Sequence, residues 1–281
     1  MNRTSIILLG VLMVGVSIPA RPDSNPQDLI EGLREDDPVT AQAAEDMLVK
    51  VGSAAVPYLE KALTDSNFLV RRRAVEALGA IGPQAKHAAP ELVQLLMDAQ
   101  FMVSEAAEKA LMQIGEDAVP ALADAAKSDQ EGLRKAAVAV LRHSGPKGTP
   151  ILIKLLKNDE NAYIRLSAAE ALGEANLVTP EVVQALVGGL SALDDGVRRV
   201  SADSLGELGA SASAAAKPLL YIVQNDPDSL VRKKASDAIL RIGPEAASAL
   251  QAAAQGSDPA AQKIASELLK QIQVSSATRH E

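Results

Sequence analysis

The amino-acid sequence predicts an all-α protein, a right-handed α-solenoid (an alpha-alpha superhelix) of about eight two-helix repeats. Three observations lead to this prediction. Residues that end amphipathic segments recur every 30 to 34 positions. Leucine and alanine columns recur at fixed distances before these ends. The chain is 47% hydrophobic but only 2% aromatic, a composition that favours helices of small aliphatic residues over β-sandwiches and barrels.

The second helix of each repeat, helix B, is recognised by its end. The stop residues are Gly52, Gly82, Gly115, Gly145, Asn176, Gly209, Gly243 and Gln273. Four positions before them stand Leu48, Leu78, Leu111, Leu141, Leu172, Leu205, Ile239 and Leu269. Eight positions before them stand Ala44, Ala74, Ala107, Ala137, Ala168, Ser201, Ala235 and Ala265. Because glycine after a helix is typical of a left-handed C-cap, we expect true helix ends and one buried stripe on each helix B.

The first helix of each repeat, helix A, is opened by proline, which suits a first helical turn. The prolines are Pro57, Pro90, Pro120, Pro150, Pro180 and Pro218. Pro180 lies 29 residues before its stop and four others lie 25 before theirs, which indicates an insertion near Gly188 and Gly189. Three glycines within helix B, Gly79, Gly173 and Gly206, are predicted to be points of close helix packing.

An isolated pair of such short helices cannot bury its apolar face, so each pair must stack on its neighbours. We therefore expect the repeats to occupy residues 26–273, with the first and last repeats acting as caps. Residues 21–25 are expected to form a linker, and residues 274–281 a flexible tail.

Residues 1–20 have the layout of a secretory signal peptide. Arg3 precedes an apolar run from Ile6 to Val16, and small residues come before the polar segment that begins at Arg21. We expect a secreted or periplasmic protein, with cleavage after Ala20 or after Ser17. The alternative is an envelope protein held by an uncleaved N-terminal anchor.

The charge and residue usage exclude several kinds of partner and site. The net charge of −8 repels nucleic-acid backbones, so no nucleic-acid partner is expected. The chain has no cysteine, and its three histidines are scattered without a second ligand at helical spacing. We expect no metal site, no cofactor and no catalytic residue, and we find no nucleotide-binding or hydrolase motif.

Three aligned segments carry a resemblance to a known repeat type. They are LTDSNFLVRRRAVEALGAIG (63–82), LKNDENAYIRLSAAEALGEAN (156–176) and VQNDPDSLVRKKASDAILRIG (223–243). With their aspartate, Val-Arg pair, alanines and leucine at fixed spacing, they resemble the short HEAT-like repeats of the phycobilisome-lyase type, within the HEAT-repeat superfamily. The resemblance covers residues 26–273 and implies a HEAT-like solenoid whose B helices line the concave side.

The resemblance also implies a role for a recurring arginine. Eleven positions before their stops stand Arg71, Arg134, Arg165, Arg198 and Arg232, and six positions before the arginine column stand Asp65, Asp159 and Asp226. In repeats of this type such residues form a structural ladder that links neighbouring inter-helix turns. A binding array for a substrate is the alternative, although Ala41, Ser104 and Gln262 interrupt the arginine column.

The exposed face of helix B is the candidate binding surface. A basic column ten positions before the stops and an acidic column six before them are spaced to pair along one helix. Such columns form either a solvated face with weak ion pairs or a mixed-charge groove for a protein or peptide. The partner-binding candidates are Arg72, Glu76, Lys135, Glu170, Arg199, Asp203, Lys233 and Asp237.

Aromatic anchors for a partner are few. The aromatic residues are Tyr58, Tyr163, Tyr221, Phe68 and Phe101, and we expect each to pack in the core or against a turn. High affinity would then depend on arginines and on many shallow contacts. This composition favours a dynamic scaffold over a very tight inhibitor.

Enzymes built on related repeats provide the competing hypotheses. Deoxyhypusine hydroxylase depends on repeated His-Glu pairs, and this chain has one such pair, His280-Glu281, at its end. A bilin lyase or chaperone-like subunit that holds a tetrapyrrole for transfer to a client is the alternative that the repeat type implies. We therefore predict an exported, non-enzymatic HEAT-repeat scaffold that binds a protein or peptide on its concave helix B face. Membrane contact is expected only if residues 1–20 stay attached.

Overall fold

The structure is a computed structural model and describes residues 25–174 and 178–277. The predicted signal segment, the first four residues of the linker, the stop residue Asn176 and residues 278–281 lie outside the described residues. The chain divides into two compact units, an N-terminal unit that ends at Val140 and a C-terminal unit that begins at Leu141.

The N-terminal unit is built from four helix pairs. The described bounds are α1 Pro26–Gly32, α2 Pro38–Val51, α3 Val56–Ala62, α4 Phe68–Ile81, α5 Ala89–Leu95, α6 Phe101–Ile114, α7 Val119–Ala125 and α8 Glu131–Leu141, whose last residue crosses the boundary. Odd-numbered helices are the A helices and even-numbered helices are the B helices. The short A helices α3, α5 and α7 each follow a 3₁₀ turn.

The C-terminal unit repeats this arrangement with longer A helices. Its helices are α9 Gly145–Asn158, α10 Ala162–Glu174, α11 Pro180–Gly189, α12 Asp195–Glu207, α13 Ala216–Asn225, α14 Ser229–Ile242, α15 Ala247–Ala254 and α16 Pro259–Ala277. The described residues contain helices and turns without a strand. None of the described helices is both long and apolar enough to cross a membrane.

Within each unit, helices of one kind pack against the next helix of the same kind. The B helices form the main contacts, from α4 to α6 in the N-terminal unit and from α10 to α12 to α14 in the C-terminal unit. The alanine column is buried throughout, and Ser201 takes its place on α12. Small residues at this contact let successive B helices approach closely, as the sequence pattern predicts.

The glycines inside helix B confirm the predicted close packing. A Cβ on Gly79 would lie 2.9 Å from the Cα of Ala110, and one on Gly206 would lie 3.0 Å from the Cα of Ala238. On Gly173 it would lie 2.8 Å from the Cα of Ser204. These positions therefore exclude a larger residue unless the neighbouring helix moves.

The stop glycines end their helices in a backbone conformation that differs from the expected left-handed C-cap. Gly52 has φ 68° and ψ −135°, and Gly115 and Gly243 have nearly the same angles. This is the mirror image of extended backbone, a region that glycine alone enters without strain. The expectation of an αL cap was wrong because the chain turns at once into the 3₁₀ segment that leads to the next A helix.

Several boundaries differ from the sequence prediction. Helix α9 begins at Gly145, so that Pro150 lies inside the helix and does not open it. Helix α16 continues to Ala277, past the predicted end of the repeats at residue 273. On α16 Ala265, Leu268 and Ile272 are buried, whereas Leu269 of the predicted leucine column is only half-buried.

Candidate functional site

The turn between helix A and helix B is built from a recurring aspartate pattern. The Oδ1 atom of Asp226 accepts a 2.9 Å hydrogen bond from the backbone N–H of Asp228, and Asp228 in turn caps α14. Asp65 and Asn67 do the same before α4. Asp159 accepts from the N–H of Asn161 at 2.9 Å. These side chains satisfy backbone donors that the helix start leaves open.

The recurring arginine binds this turn from the first turns of helix B. The Nη1 atom of Arg198 donates to the carbonyl oxygens of Ala192 and Leu193, both at 3.0 Å. Arg165 and Arg232 bind the carbonyls of Asp159 and Asp226 in the same way, each at 2.7 Å. In the N-terminal unit, Arg71 binds the carbonyl of Asp65 and Arg134 that of Ser128, each at 2.8 Å.

Arg198 and Arg71 also reach the aspartate of the following repeat. Arg198 donates from Nε and Nη2 to both carboxylate oxygens of Asp226, at 2.7 and 3.0 Å. Arg71 holds Asp98 in the same forked geometry, with both distances 2.9 Å. Asp98 was missed in the sequence because the arginine of its own repeat is replaced by Ser104. Asp65 pairs with Arg34, which stands outside the arginine column.

The carboxylates of this ladder have altered acidity. Burial alone would raise the pKa of Asp226, but hydrogen bonds from Arg198 and from the Asp228 N–H lower it overall. The pKa of Asp98 is lowered in the same way, against the effect of burial, by Arg71 and the Gln100 N–H. Both aspartates therefore stay ionised, and the ladder links consecutive repeats within each unit.

The charged columns of helix B pair differently from the sequence expectation. Arg72 and Glu76 form the expected pair along one helix, with 3.6 Å between Nε and Oε1. Lys135 instead pairs with Glu131, one turn earlier. Asp203 takes its cations from the next B helix, with Lys234 at 2.8 Å and Arg241 at 3.0 Å. Arg241 also lies 2.7 Å from Glu207.

A groove of about 670 Å³ lies between α10 and α12 in the C-terminal unit. Its acidic lining residues are Glu170, Glu174, Asp203 and Glu207. Two of these acids pair with Arg142, Glu170 at 3.7 Å and Glu174 at 3.3 Å. In the N-terminal unit a second groove of about 340 Å³ is lined by Arg72, Glu76, Met102 and Lys109. The groove between α10 and α12 is therefore acidic, whereas the groove in the N-terminal unit has mixed charge.

Three candidates on the C-terminal unit have no side-chain partner within the described part of the chain. Arg199, Lys233 and Asp237 form no ion pair or hydrogen bond within the described residues, apart from backbone bonds. Arg199 and Lys233 occupy equivalent positions on packed helices, so that their backbones lie on the order of 10 Å apart. A partner could engage these groups without breaking an existing ion pair.

Aromatic residues are more exposed than the sequence suggested. Phe101 is 75% exposed, Tyr163 58% and Tyr221 66%, so the expectation of core or turn packing was wrong for these three. Phe101 and Tyr163 lie at the starts of α6 and α10, where the side chain points away from the packed stripe. Tyr58 is half-buried, with the Lys61 Nζ 5.9 Å from its ring centre.

One further arginine was not singled out by the sequence pattern. Arg73 of α4 is 9% exposed, and its Nη1 donates to the carbonyl oxygens of Leu33 at 2.6 Å and Glu35 at 3.2 Å. It thereby binds the end of α1 in the first repeat. The described residues contain no cluster of three or more histidine, aspartate or glutamate side chains able to hold a metal ion.

Taken together, serial helix pairs, a small-residue contact between B helices and an arginine ladder define an all-α repeat protein of the solenoid class. Residues 26–87 and 149–239, more than half of the chain, match the family described as HEAT repeats. The chain belongs to the HEAT-repeat family. No curated protein sequence is significantly similar to it.

Solved structures are similar to this chain at low sequence identity. Importin beta is 15% identical with a TM-score of 0.50, over 88% of this chain and 41% of importin beta. The archaeal HEAT-like repeats protein from Thermococcus onnurineus NA1 is 14% identical with a TM-score of 0.44, over 78% of this chain and 97% of that protein. The CpcE and CpcF complex of phycocyanin lyase from Nostoc sp. PCC7120 is 22% identical with a TM-score of 0.35, over 92% of this chain and 99% of the matched chain.

Proposed function

We propose that this chain is a non-enzymatic HEAT-repeat scaffold that binds a protein or peptide partner on the face of its B helices. HEAT-repeat proteins generally bind protein partners. The proposal rests on Arg199, Lys233 and Asp237, which lie beside one another on α12 and α14. Their side chains form no ion pair among the described residues. Neighbouring charges on the same face, such as Asp203, are already neutralised from the next helix.

Competition with existing ion pairs favours the unpaired charges of this face as contacts for a partner. A partner that binds a charge already paired inside the protein must first replace that pair, so the net gain is small. Arg199 and Lys233 impose no such loss, and they offer two cations at the spacing of adjacent helices. Asp237, one turn after Lys233, lets the same face accept a cation from the partner. We therefore expect the partner to present acidic groups over α12 and α14.

The test is a charge reversal on this face with a matched reversal elsewhere. The Arg199→Glu/Lys233→Glu variant changes the B-helix face, and the Lys154→Glu/Lys217→Glu variant makes the same change in net charge on exposed positions of α9 and α13. Each tagged protein is expressed in its native cells and purified from the envelope fraction, and the co-purifying proteins are quantified by mass spectrometry.

We expect the same proteins to co-purify with the wild-type chain and with the control variant, and to be lost with Arg199→Glu/Lys233→Glu at an unchanged melting temperature. Retention of these proteins by Arg199→Glu/Lys233→Glu would place the binding surface elsewhere. If nothing co-purifies specifically with the wild-type chain, the scaffold function itself is refuted.

We also propose that the protein is exported, to the periplasm or the medium. The support is the charged start, apolar run and small-residue end of residues 1–20. Intact-mass measurement on protein from native cells distinguishes the outcomes, since cleavage after Ser17 or Ala20 leaves different masses. A full-length chain in the membrane fraction would instead support the uncleaved anchor.

A further inference from the structure

The arginine ladder contains a position where the carboxylate is absent. Arg71 and Arg198 each use Nη1 for their own inter-helix turn and use Nε and Nη2 for an aspartate of the next repeat. Arg165 makes the same Nη1 contacts, to the carbonyls of Asp159 at 2.7 Å and Glu160 at 3.0 Å. Its Nε and Nη2 have no hydrogen-bond partner among the described residues.

Arg165 lacks a carboxylate partner because the next repeat has no aspartate at the ladder position. Asp98 and Asp226 each stand three residues before the first residue of a B helix, α6 and α14. The equivalent position before α12, which begins at Asp195, is Ala192. The alanine cannot supply a carboxylate, so one edge of the Arg165 guanidinium is left with two parallel N–H donors. That fork matches a carboxylate in the bidentate geometry that Arg71 and Arg198 show.

Open space lies at this point of the C-terminal unit. A cavity of about 450 Å³ is lined by Arg165 and Lys157, by Gly188 and Gly189 at the end of α11, and by Leu193. A Cβ on Gly188 would meet no atom within 4 Å, and Leu193 is 101% exposed. We call this cavity the Arg165 pocket.

We propose that the Arg165 pocket binds the carboxylate of an aspartate or glutamate side chain from a protein partner, which then completes the ladder from outside. The occupant is a side chain because aspartate side chains fill the equivalent position at Arg71 and Arg198. Lys157 adds a second cation with no ion pair among the described residues. Leu193, which lines the cavity and is fully exposed, offers apolar contact to the residues that flank the acid.

Neighbouring acids do not fill the site. Asp159, which also lines the cavity, directs Oδ1 to the N–H of Asn161 at 2.9 Å. Asp194 is occupied as the cap of α12, with Oδ1 3.2 Å from the N–H of Val197. The site lies at the turn between helices A and B and goes beyond the proposed function, because it neither uses Arg199 and Lys233 nor requires a known partner for its test.

The experiment follows arginine Nε–Hε signals by NMR in the ¹⁵N-labelled chain during titration with the dipeptide N-acetyl-Asp-Leu-amide. N-acetyl-Asn-Leu-amide is the uncharged control, and N-acetyl-leucine supplies a free terminal carboxylate. The Arg165 signal is assigned by its loss in Arg165→Lys. We expect a saturable shift of the Arg165 signal at millimolar concentration of the aspartyl probe alone, and none at Arg71 or Arg198, whose carboxylates are in place.

A variant that restores the missing carboxylate of the ladder is the matched control for the titration. Ala192→Asp places a carboxylate at the position equivalent to Asp98 and Asp226. It should abolish the shift of the Arg165 signal and raise the melting temperature by about 2 to 4 °C. Ala192→Asn should reduce the shift less and raise the melting temperature less. Arg232 is the internal reference for general anion binding, since Gly256 occupies the corresponding position in the last repeat. An equal shift at Arg232, a larger response to N-acetyl-leucine, or no saturable shift at Arg165 would overturn the proposal.

Discussion

Arg198 of α12 donates two hydrogen bonds to the carboxylate of Asp226, the residue that follows α13. The distances are 2.7 Å from Nε to Oδ2 and 3.0 Å from Nη2 to Oδ1. The side chain of Asp226 is only 2% exposed and that of Arg198 12%. The pair is therefore largely removed from water, and it connects the inter-helix turns of two consecutive repeats. Such a buried charge pair is costly to break on one side only.

Arg198→Ala should destabilise the protein more than Arg165→Ala does. The first change leaves the buried Asp226 carboxylate without its cation, and we expect a loss of about 3 kcal/mol in the free energy of unfolding. The second removes hydrogen bonds to two carbonyls and should cost about 1 kcal/mol. Urea denaturation followed by circular dichroism compares the two. Equal losses would mean that the Asp226 pair adds nothing to the contacts with the turn.

Gly206→Ala should be destabilising, whereas Gly188→Ala should be neutral or stabilising. A Cβ on Gly206 would lie 3.0 Å from the Cα of Ala238, so α12 and α14 must separate, at a cost of about 1 to 3 kcal/mol. Gly188, also helical, has open space around an added Cβ, and alanine favours the helix by up to about 1 kcal/mol. Melting temperatures of the two variants measure the difference. A stable Gly206→Ala protein would show that the helix contact is compliant.

Substitutions at Gly115 test the cost of backbone strain in the absence of steric conflict. Its φ is 72° and its ψ −138°, and an added Cβ would meet no atom within 4 Å. Gly115→Ala should therefore lower stability by about 1 to 3 kcal/mol through backbone conformation alone. Asparagine is tolerated in αL but not in this region, so Gly115→Asn should cost about as much. If Gly115→Asn proves as stable as the wild type, the glycine adopts αL in solution.

The sequence was sufficient for features that depend on local spacing. Helix ends at glycine, the buried alanine column and the close-packing glycines all recur with the repeat, and each is set by contacts between equivalent positions of adjacent repeats. The ladder arginines could be identified in the same way, because their contacts are local. Carbonyls five and six residues earlier in the chain are bound by Arg71, Arg165, Arg198 and Arg232.

Other features depend on how far one helix is displaced along its neighbour, which spacing within one helix does not reveal. Asp203 therefore pairs with Lys234 and Arg241 of α14, although Arg199 stands one turn away on its own helix. The exposure of Phe101 and Tyr163 was also missed, because an aromatic residue at a helix start carries no signal of which side is covered. That Ala192 leaves Arg165 without a carboxylate follows only once the structure shows that Arg71 and Arg198 reach the aspartate of the next repeat.

Glu45 of α2 makes the stability of the N-terminal unit depend on pH. The pKa of Glu45 is raised to about 7, mainly by burial and also by the carboxylates of Glu76 and Asp46, while Arg72 and Arg73 act in the opposite direction. The folded protein thus holds this proton more tightly than the unfolded chain, whose glutamate has the ordinary pKa of 4.5. The contribution of Glu45 is fully present below pH 4.5 and is lost as the pH rises through about 7.

Glu45→Gln should therefore stabilise the protein at pH 8 and have little effect at pH 4.5, the ordinary pKa of the side chain. Because water reaches part of the Glu45 side chain, the expected gain is about 1 kcal/mol. Unfolding free energies measured by denaturant titration between pH 4.5 and 8 test this, with the exposed Glu35→Gln as the control for removal of a carboxylate. Asp46→Asn should give a smaller gain at pH 8, since it removes one of the charges that raise the pKa of Glu45. A Glu45→Gln protein with the same pH dependence as the wild type would show that Glu45 ionises in the folded protein as it does in the unfolded chain.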